Sequence, residues 1–222
     1  MSGSGMDAGP LLDEVLWERP FASFPQLHPA GIKGHEGRFL FGRCGTRRVI
    51  LQSGRLHVYE GLDFEAVTRP MGILREFGVD TAVLLNAAGG LCPELRPGDL
   101  VAVSSVRCWP YPGWENTPDT LTPNVLVPGC AVTGEYIWMH GPSYETRAEI
   151  RALQSLGGMV IGMSAAPELE RAQSLGIRTA VLSCVTNSCC AARLLTHREV
   201  LETARRSSKG IIRVLRDAIR TL

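Results

Sequence analysis

Gln52-Ser53-Gly54-Arg55-Leu56-His57-Val58-Tyr59-Glu60-Gly61 directly follows the apolar run of residues 49–51, so a buried strand is predicted to end in a turn relaxed by glycine. Arg55 and His57 are two residues apart. An extended backbone therefore directs both side chains to one side, where they present positive charge to an anion. The alternative for this stretch taken alone is a solvated surface turn, in which Arg55 and Glu60 form an ordinary ion pair.

Polar clusters recur where predicted strands end. They are Arg55 to Glu60, Asn86 to Gly90, Tyr144 with Glu145, Met163 with Ser164, and Thr186 with Asn187. Open α/β sheets bind their ligands in the crevice beyond the carboxyl ends of the strands. The recurrence therefore predicts a ligand site at one end of a sheet.

The predicted strands are short apolar runs bounded by turn or polar residues. Residues 38–42 and 48–51 predict a hairpin joined through Gly45. Further strands are predicted over residues 81–85, 100–106, 136–139, 160–164 and 178–185. The first of these is expected to end before Asn86, so that residues 86–90 lie beyond it.

Segments of helical spacing alternate with these strands. Residues 64–77 predict a helix that Pro70 is expected to kink or delay. Other helix starts are predicted at the capping box Thr146 with Glu149, at Pro167, and at the capping box Thr196 with Glu199. The alternation predicts an α/β fold in which residues 1–222 form a single domain, with a mixed, mostly parallel twisted sheet flanked by helices on both sides.

The composition excludes several classes of partner. The chain has 222 residues and a net charge of +1, with a sequence pI of about 7.6. This balance argues against electrostatic capture of nucleic acid or of an acidic membrane surface. No apolar stretch approaches the ~20 residues that cross a bilayer. Small molecules are the expected partners.

The seven cysteines are scattered, and no charged-then-apolar leader precedes them. This usage predicts a reducing, cytoplasmic compartment. Cys189 and Cys190 are adjacent, but no histidine–cysteine spacing around them matches a zinc site. We therefore predict no metal and interpret both as small apolar residues.

Two segments have an uncertain place in this fold. Residues 1–5 are interpreted either as an expression-vector scar or as a glycine-rich phosphate loop, in which backbone N–H groups and the Ser4 hydroxyl face an anion. Residues 107–130 hold five prolines and show no periodicity, which predicts a long loop.

Seven motifs follow one another along the chain: Gly34-His35, Gln52 to Gly61, Asn86 to Leu91, Gly141 to Glu145, Gly162 to Ser164 with Pro167-Glu168, Thr186-Asn187, and His197 to Leu201. In this order they resemble the motifs of the trimeric purine nucleoside phosphorylases. The resemblance runs from about Gly3 to the C-terminus and excludes the 107–130 loop, which is shorter than the family's.

The resemblance implies reversible phosphorolysis of a purine nucleoside to free base and ribose 1-phosphate, with inorganic phosphate as co-substrate and no other cofactor. The implied phosphate-binding residues are Ser4, Arg55, His57, the backbone of Ala87, and Ser164, with His35 beside them. The implied ribose-binding residues are Tyr59, Met163 and His197. The implied purine-binding residues are Gly89, Tyr144, Glu145 and Asn187. Within these sets, His35, His57, Glu145, Asn187 and His197 are the expected catalytic residues.

The residue types at the purine side indicate which base is bound. The Asn187 amide is able to donate a hydrogen bond to N7 or to the 6-oxygen, while the Glu145 carboxylate accepts from N1–H of a 6-oxopurine. Inosine and guanosine are thus favoured over adenosine. Taken alone, Glu145 has an alternative interpretation as a residue that serves the helix start at Thr146, and His197 as a surface residue of a first helical turn.

Two departures from the family leave other functions open. The strand that precedes the phosphate loop in the family is missing here, and the segment that sends an aromatic residue into a neighbouring subunit's ribose site has no clear counterpart, although Trp109, Tyr111 and Trp114 are candidates. The alternatives are a catalytically impaired purine- or nucleoside-binding homologue and a phosphorylase for methylthio-nucleosides. If the site borrows a residue from a neighbour, a homotrimer is expected.

Overall fold

The apolar runs form two sheets, in a computed structural model that describes residues 1–2, 6, 8–28, 37–108, 113–190 and 197–221. The strands are β1 (Glu14–Pro20), β2 (Arg38–Cys44), β3 (Arg47–Ser53), β4 (Thr81–Gly90), β5 (Leu100–Arg107), β6 (Thr120–Leu121), β7 (Val132–Trp138), β8 (Val160–Gly162) and β9 (Arg178–Ser188). The helices are α1 (Phe64–Glu76), α2 (Arg147–Ser155), α3 (Ala166–Ser174) and α4 (His197–Thr221).

The first sheet is antiparallel and has the order β1-β2-β3. Strands β2 and β3 pair from Arg38 with Ser53 to Cys44 with Arg47, and the turn between them places Gly45 at a φ of +59°. The predicted hairpin is therefore confirmed. The hairpin belongs to a sheet separate from the one that holds the other site strands, whereas a single sheet was predicted.

The second sheet is mixed and has the order β6-β5-β7-β8-β4-β9. Parallel pairs join β4 to β9, β5 to β7 and β7 to β8, while β8 runs antiparallel to β4. An additional antiparallel pairing of β5 with β9 closes the sheet on itself. The mixed α/β fold agrees with the expectation, but the closure into a barrel was not anticipated.

Strand β4 is longer than predicted, because its small residues continue the ladder. Ala87 pairs with Cys184 of β9, and Gly89 pairs with both Asn187 of β9 and Ile161 of β8. The register shifts between Ala88 and Gly89. The expectation that residues 86–90 lie beyond the strand was wrong, and these residues form part of the barrel wall.

The helices cover two faces of the barrel. Along β9, Val181 joins an apolar cluster with Leu169 of α3, whereas its neighbour Leu182 joins another with Ala204 and Ile211 of α4. This follows from the alternation of side chains along a strand. Helices on both sides of the sheet are thus confirmed.

The helix starts follow their local signals. Helix α1 begins after Asp63, whose carboxylate accepts a hydrogen bond from Ala66 N–H at 2.8 Å, so Pro70 does not delay its start. Thr146 and Glu149 form the predicted capping box at the start of α2. Pro167 lies in the first turn of α3, as predicted. Thr196, half of the other predicted box, lies outside the described residues.

The first two residues join the two sheets. Ser2 N–H donates to the Gln52 carbonyl at 2.8 Å, and Leu85 N–H donates to the Met1 carbonyl at 2.9 Å. Met1 and Ser2 therefore lie between the end of β3 and the middle of β4 as part of the fold, whereas residues 3–5, the rest of the proposed phosphate loop, lie outside the described residues. No helix in the described ranges is long and apolar enough to cross a membrane.

Candidate active site

The predicted site residues whose side chains are described meet in a cavity of about 120 Å³, at the place where β8 pairs with the C-terminal end of β4. Each of the five polar clusters contributes to the lining, which includes Arg55, His57, Tyr59, Ala87, Gly89, Tyr144, Glu145, Met163, Ser164 and Asn187. The antiparallel crossing explains this convergence, because it brings Gly162 of β8 beside the Ala87 carbonyl of β4.

One wall of the cavity carries the groups expected to hold an anion. Arg55 is only 3% exposed, and its Nη1 donates to the Ser164 hydroxyl at 3.0 Å and to the Leu85 carbonyl at 3.3 Å. Because the Ser164 oxygen accepts from Arg55, its own hydrogen remains available to a ligand. Arg55 also pairs with the buried Glu168 at 2.5 Å. The alternative of a surface ion pair between Arg55 and Glu60 is therefore excluded.

The backbone beside Ser164 is strained. Ala165 has a φ of +72° and is fully buried between β8 and α3. A residue with a side chain in such a conformation costs on the order of 1–3 kcal/mol and persists only where the surrounding structure enforces it. Tyr136 supplies part of that constraint, since its hydroxyl donates to the Ser164 carbonyl at 2.9 Å.

The orientation of His57 is set by Glu60. A carboxylate oxygen of Glu60 accepts from the His57 backbone N–H at 2.8 Å and lies 3.1 Å from His57 Nδ1. This contact favours the tautomer with hydrogen on Nδ1 and leaves Nε2 as the ring nitrogen available to a ligand. The Tyr59 ring stacks on His57 with centroids 4.6 Å apart. Burial raises the pKa of Tyr59 to about 12, so its phenol is neutral and able to donate.

The opposite side of the cavity carries the groups expected to hold a base. Asn187 Oδ1 lies 3.0 Å from the Thr186 hydroxyl, and Asn187 Nδ2 lies 3.7 Å from Cys189 Sγ. The Thr186 hydroxyl is also 3.2 Å from the Ala88 carbonyl. The Asn187 amide NH₂ lies beside Gly89, as the donor that a 6-oxygen or N7 requires. Burial, followed by the nearby Glu149 charge, raises the pKa of Glu145.

The comparison with known protein families agrees with this geometry. The family model described as the phosphorylase superfamily matches residues 1–112 and 130–220. The chain belongs to this superfamily. The unmatched residues 113–129 fall within the predicted long loop, which contains only the short strand β6 among its described residues.

Superfamily relatives cover nearly the whole chain. It is 35% identical over 214 residues to the purine nucleoside phosphorylase of Mycobacterium tuberculosis, covering 90% of this chain and 80% of the relative. It is 29% identical over 250 residues to purine nucleoside phosphorylase 1 of Geobacillus stearothermophilus, covering 99% and 89%. The structure of Schistosoma mansoni purine nucleoside phosphorylase in complex with inosine matches it with a TM-score of 0.87 at 26% identity, covering 100% and 89%. These phosphorylases are pentosyltransferases, and the chain is an enzyme of this type.

Three residues implied by the resemblance to this superfamily are not placed by the structure. Ser4 and His35 lie outside the described residues. His197 begins α4, but its side chain is likewise outside the described part of the chain.

Sequence reasoning missed several residues at the superfamily site. Glu168 and Thr186 stand inside quoted motifs but had no predicted role, and Cys189 was interpreted only as a small apolar residue. The structure places Cys189 and Thr186 in the cavity lining, together with Ile161 and Val200. The sequence offered one signal for Cys189, its position two residues after Asn187. Side chains at that spacing on an extended backbone point to the same face.

The Trp114 side chain packs against residues of its own chain. Its indole N–H donates to Glu170 at 2.6 Å, and its ring stacks on Phe64 at 5.4 Å and meets Trp138 edge-on at 5.3 Å. It is therefore not available to reach a neighbouring subunit in this conformation. Trp109 and Tyr111, the other candidates, lie outside the described residues.

A larger cavity of about 520 Å³ lies elsewhere, between β3 and β4. It is lined mainly by aliphatic side chains, such as Leu51, Val83 and Leu215, with Arg47 and Arg178 among the lining residues. None of the predicted site residues whose side chains are described lines it. The chemistry, rather than the volume, assigns the active site to the smaller cavity.

Proposed function

We propose that this chain catalyses the reversible phosphorolysis of 6-oxopurine nucleosides, inosine and guanosine, to the free base and ribose 1-phosphate. The observation that carries the proposal is the convergence in one cavity of an anion-binding wall, Arg55 with Ser164, and a base-binding pair, Glu145 with Asn187. Inorganic phosphate is the co-substrate in this proposal, and no other cofactor takes part.

The reaction moves a pentosyl group from nitrogen to oxygen. A phosphate oxygen forms a bond to C1′ of the ribose as the C1′–N9 bond breaks, and the electron pair of that bond goes to the purine, which then takes up a proton. Phosphate is a weak nucleophile, so catalysis depends on positioning and on stabilising the charges that develop. We assign phosphate to Arg55, His57, Ser164 and the Ala87 backbone, and ribose to Tyr59 and Met163.

The purine side stabilises the leaving group. As the base departs it gains negative charge, and the Asn187 amide N–H donates to N7 or to the 6-oxygen, where that charge collects. The Glu145 carboxylate accepts from N1–H, a hydrogen that a 6-aminopurine lacks. Tyr144 and Gly89 lie along the base. Ser4 and His35, at the phosphate, and His197, at the ribose, complete the proposed set.

The test is a phosphate-dependent assay of hypoxanthine release from inosine, run on the wild type and on Asn187→Asp and Glu145→Ala. Loss of a donor aimed at developing charge typically lowers kcat by about 10²–10³-fold, so we expect Asn187→Asp to fall by that factor. Asn124→Asp is a matched control, because Asn124 Oδ1 accepts from Thr179 N–H outside the site.

Three outcomes decide between the functions. No phosphate-dependent release by the wild type contradicts the proposed activity, and calorimetric binding of hypoxanthine in that case indicates a binding homologue. Equal activity of the wild type and both site variants refutes the base-site assignment. Faster turnover of methylthioadenosine than of inosine indicates a methylthio-nucleoside phosphorylase instead.

We also infer that the enzyme is a cytoplasmic homotrimer, with residues 1–222 as one domain. Tyr144 supports the assembly, since it lies at the cavity and is 46% exposed, which leaves a surface for a neighbouring subunit to cover. The seven free thiols are consistent with a reducing compartment. Light scattering checks the assembly, and a mass corresponding to one 24.1 kDa chain contradicts it.

A further inference from the structure

Glu168 forms an ion pair with Arg55 that is almost completely buried. The two side chains are each 2% exposed, and Arg55 Nε lies 2.5 Å from Glu168 Oε1. Burying two charges is costly unless they compensate one another. A carboxylate fully withdrawn from water beside Arg55, the proposed phosphate-binding residue, therefore requires a reason.

The contacts of Arg55 show what the pair achieves. The guanidinium is a rigid planar fork with five N–H donors. Glu168 occupies its Nε side, and Ser164 with Leu85 occupies Nη1. Nε and Nη2 are both buried, and neither makes a hydrogen bond of good geometry within the described residues. Since Arg55 lines the cavity, the pair with Glu168 holds the guanidinium where an anion in the cavity would meet its charge.

Glu168 is itself held firmly. It stands in the first turn of α3, next to Pro167, where the helix dipole favours a negative charge. The preceding residues Ser164 and Ala165 lead directly into this helix. The helix that carries Glu168 is thus continuous with the segment that carries Ser164, so that both contacts to Arg55 come from one rigid unit.

We propose that Glu168 is a positioning residue for phosphate, which holds Arg55 from its Nε side so that the guanidinium stays beside the bound anion. This inference rests on the proposed function of the same cavity. Electrostatics alone predicts the opposite effect of Glu168, because a carboxylate close to a bound anion repels it. The two predictions therefore differ in sign.

Three variants separate the reach of the side chain from its charge. Glu168→Ala removes both, Glu168→Asp keeps the charge but shortens the reach by one methylene, and Glu168→Gln keeps the reach without the charge. The measurement is calorimetric binding of inorganic phosphate and, separately, of hypoxanthine. Glu170→Ala is the matched control, since it removes a carboxylate two residues along the same helix that binds Trp114 and not Arg55.

We expect the dissociation constant for phosphate to rise at least tenfold in Glu168→Ala and at least threefold in Glu168→Asp, and to stay within threefold of the wild type in Glu168→Gln. Hypoxanthine binding should stay within twofold in all of them, and Glu170→Ala should bind both ligands like the wild type. If Glu168→Ala does not fold, the Asp and Gln variants carry the same comparison.

Several results overturn the proposal. Phosphate binding that is unchanged or tighter in Glu168→Ala and Glu168→Asp contradicts the proposal. An equal loss of phosphate binding in the Ala and Gln variants also contradicts it, because that result assigns the effect to the charge of Glu168. An equal loss of phosphate and hypoxanthine binding indicates general damage and also overturns it. A wild type that binds no phosphate overturns the proposed function together with this inference, and the two failures are thereby distinguished.

Discussion

Gly89 allows the base side of the cavity to close tightly, and Gly89→Ala tests that directly. A Cβ at this position would lie 2.5 Å from Cys189 Sγ, 3.2 Å from Asn187 Nδ2 and 3.2 Å from Ile161 Cγ2. Non-bonded heavy atoms prefer separations of roughly 3.5–4.0 Å. The new methyl therefore displaces the Cys189 sulfur by about 1 Å or forces its side chain to rotate within the purine site.

The size of the effect follows from overpacking. Extra methyl groups in well-packed sites cost about 1–3 kcal/mol. If that strain is relieved by displacing Asn187 and Cys189, it appears as lost transition-state binding, which corresponds to a fall of about 5- to 150-fold in kcat/KM for inosine. Phosphate affinity should change little, because none of the three atoms that the new methyl would meet belongs to Arg55 or Ser164.

The assay measures kcat/KM for inosine and phosphate binding in Gly89→Ala, Cys189→Ala and the double variant. Removing the sulfur relieves the closest contact and leaves only the two at 3.2 Å, so the double variant should exceed Gly89→Ala by at least about fivefold, a coupling that contacting residues commonly show. A double variant no more active than Gly89→Ala refutes the reasoning.

Other predictions concern acidity and stability. Burial raises the pKa of Glu145 above its ordinary value near 4.5. Since the ionised carboxylate accepts N1–H, kcat/KM for inosine should fall as the pH drops through that raised pKa. A pH profile in which Glu145→Gln shows the same fall at low pH contradicts this. Thr146→Ala removes the capping box of α2 and should lower the free energy of unfolding by about 1 kcal/mol. Urea titration measures this, and an unchanged unfolding midpoint contradicts the prediction. Gly72→Ala places a methyl in α1 whose nearest heavy atom is 3.9 Å away and should raise the unfolding free energy by about 0.5–1 kcal/mol; any loss of stability would show that the position is not open.

The parts of the fold that the sequence predicts are those with a local cause. The hairpin through Gly45 and the capping box of Thr146 with Glu149 each depend on residues within a few positions of one another. The closure of the barrel has no such signal. It pairs Leu100 with Cys184 across the chain, and an apolar strand carries no mark of which distant strand it will pair with.

The same distinction applies to the site. The polar clusters at strand ends were visible in the sequence, and the structure brings those with described side chains together. The partner of Arg55 was not visible, because Glu60 is its neighbour in sequence, whereas Glu168 becomes its neighbour only when α3 packs beneath the cavity. Glu60 instead orients His57. Local spacing identifies candidate ligands, while the charges that hold them come from tertiary structure.

The two sides of the cavity differ in burial, and this difference bears on how substrates enter. On the proposed phosphate side, Arg55, His57 and Ser164 are each less than 10% exposed, and contacts within the protein already hold them in place. On the nucleoside side, Tyr144 is 46% exposed at the cavity. Ordering an exposed side chain costs conformational entropy that a preorganised wall does not. In the proposed reaction, the anion site is therefore preorganised before substrate binds, and the base and ribose supply the binding energy that orders the other side of the cavity.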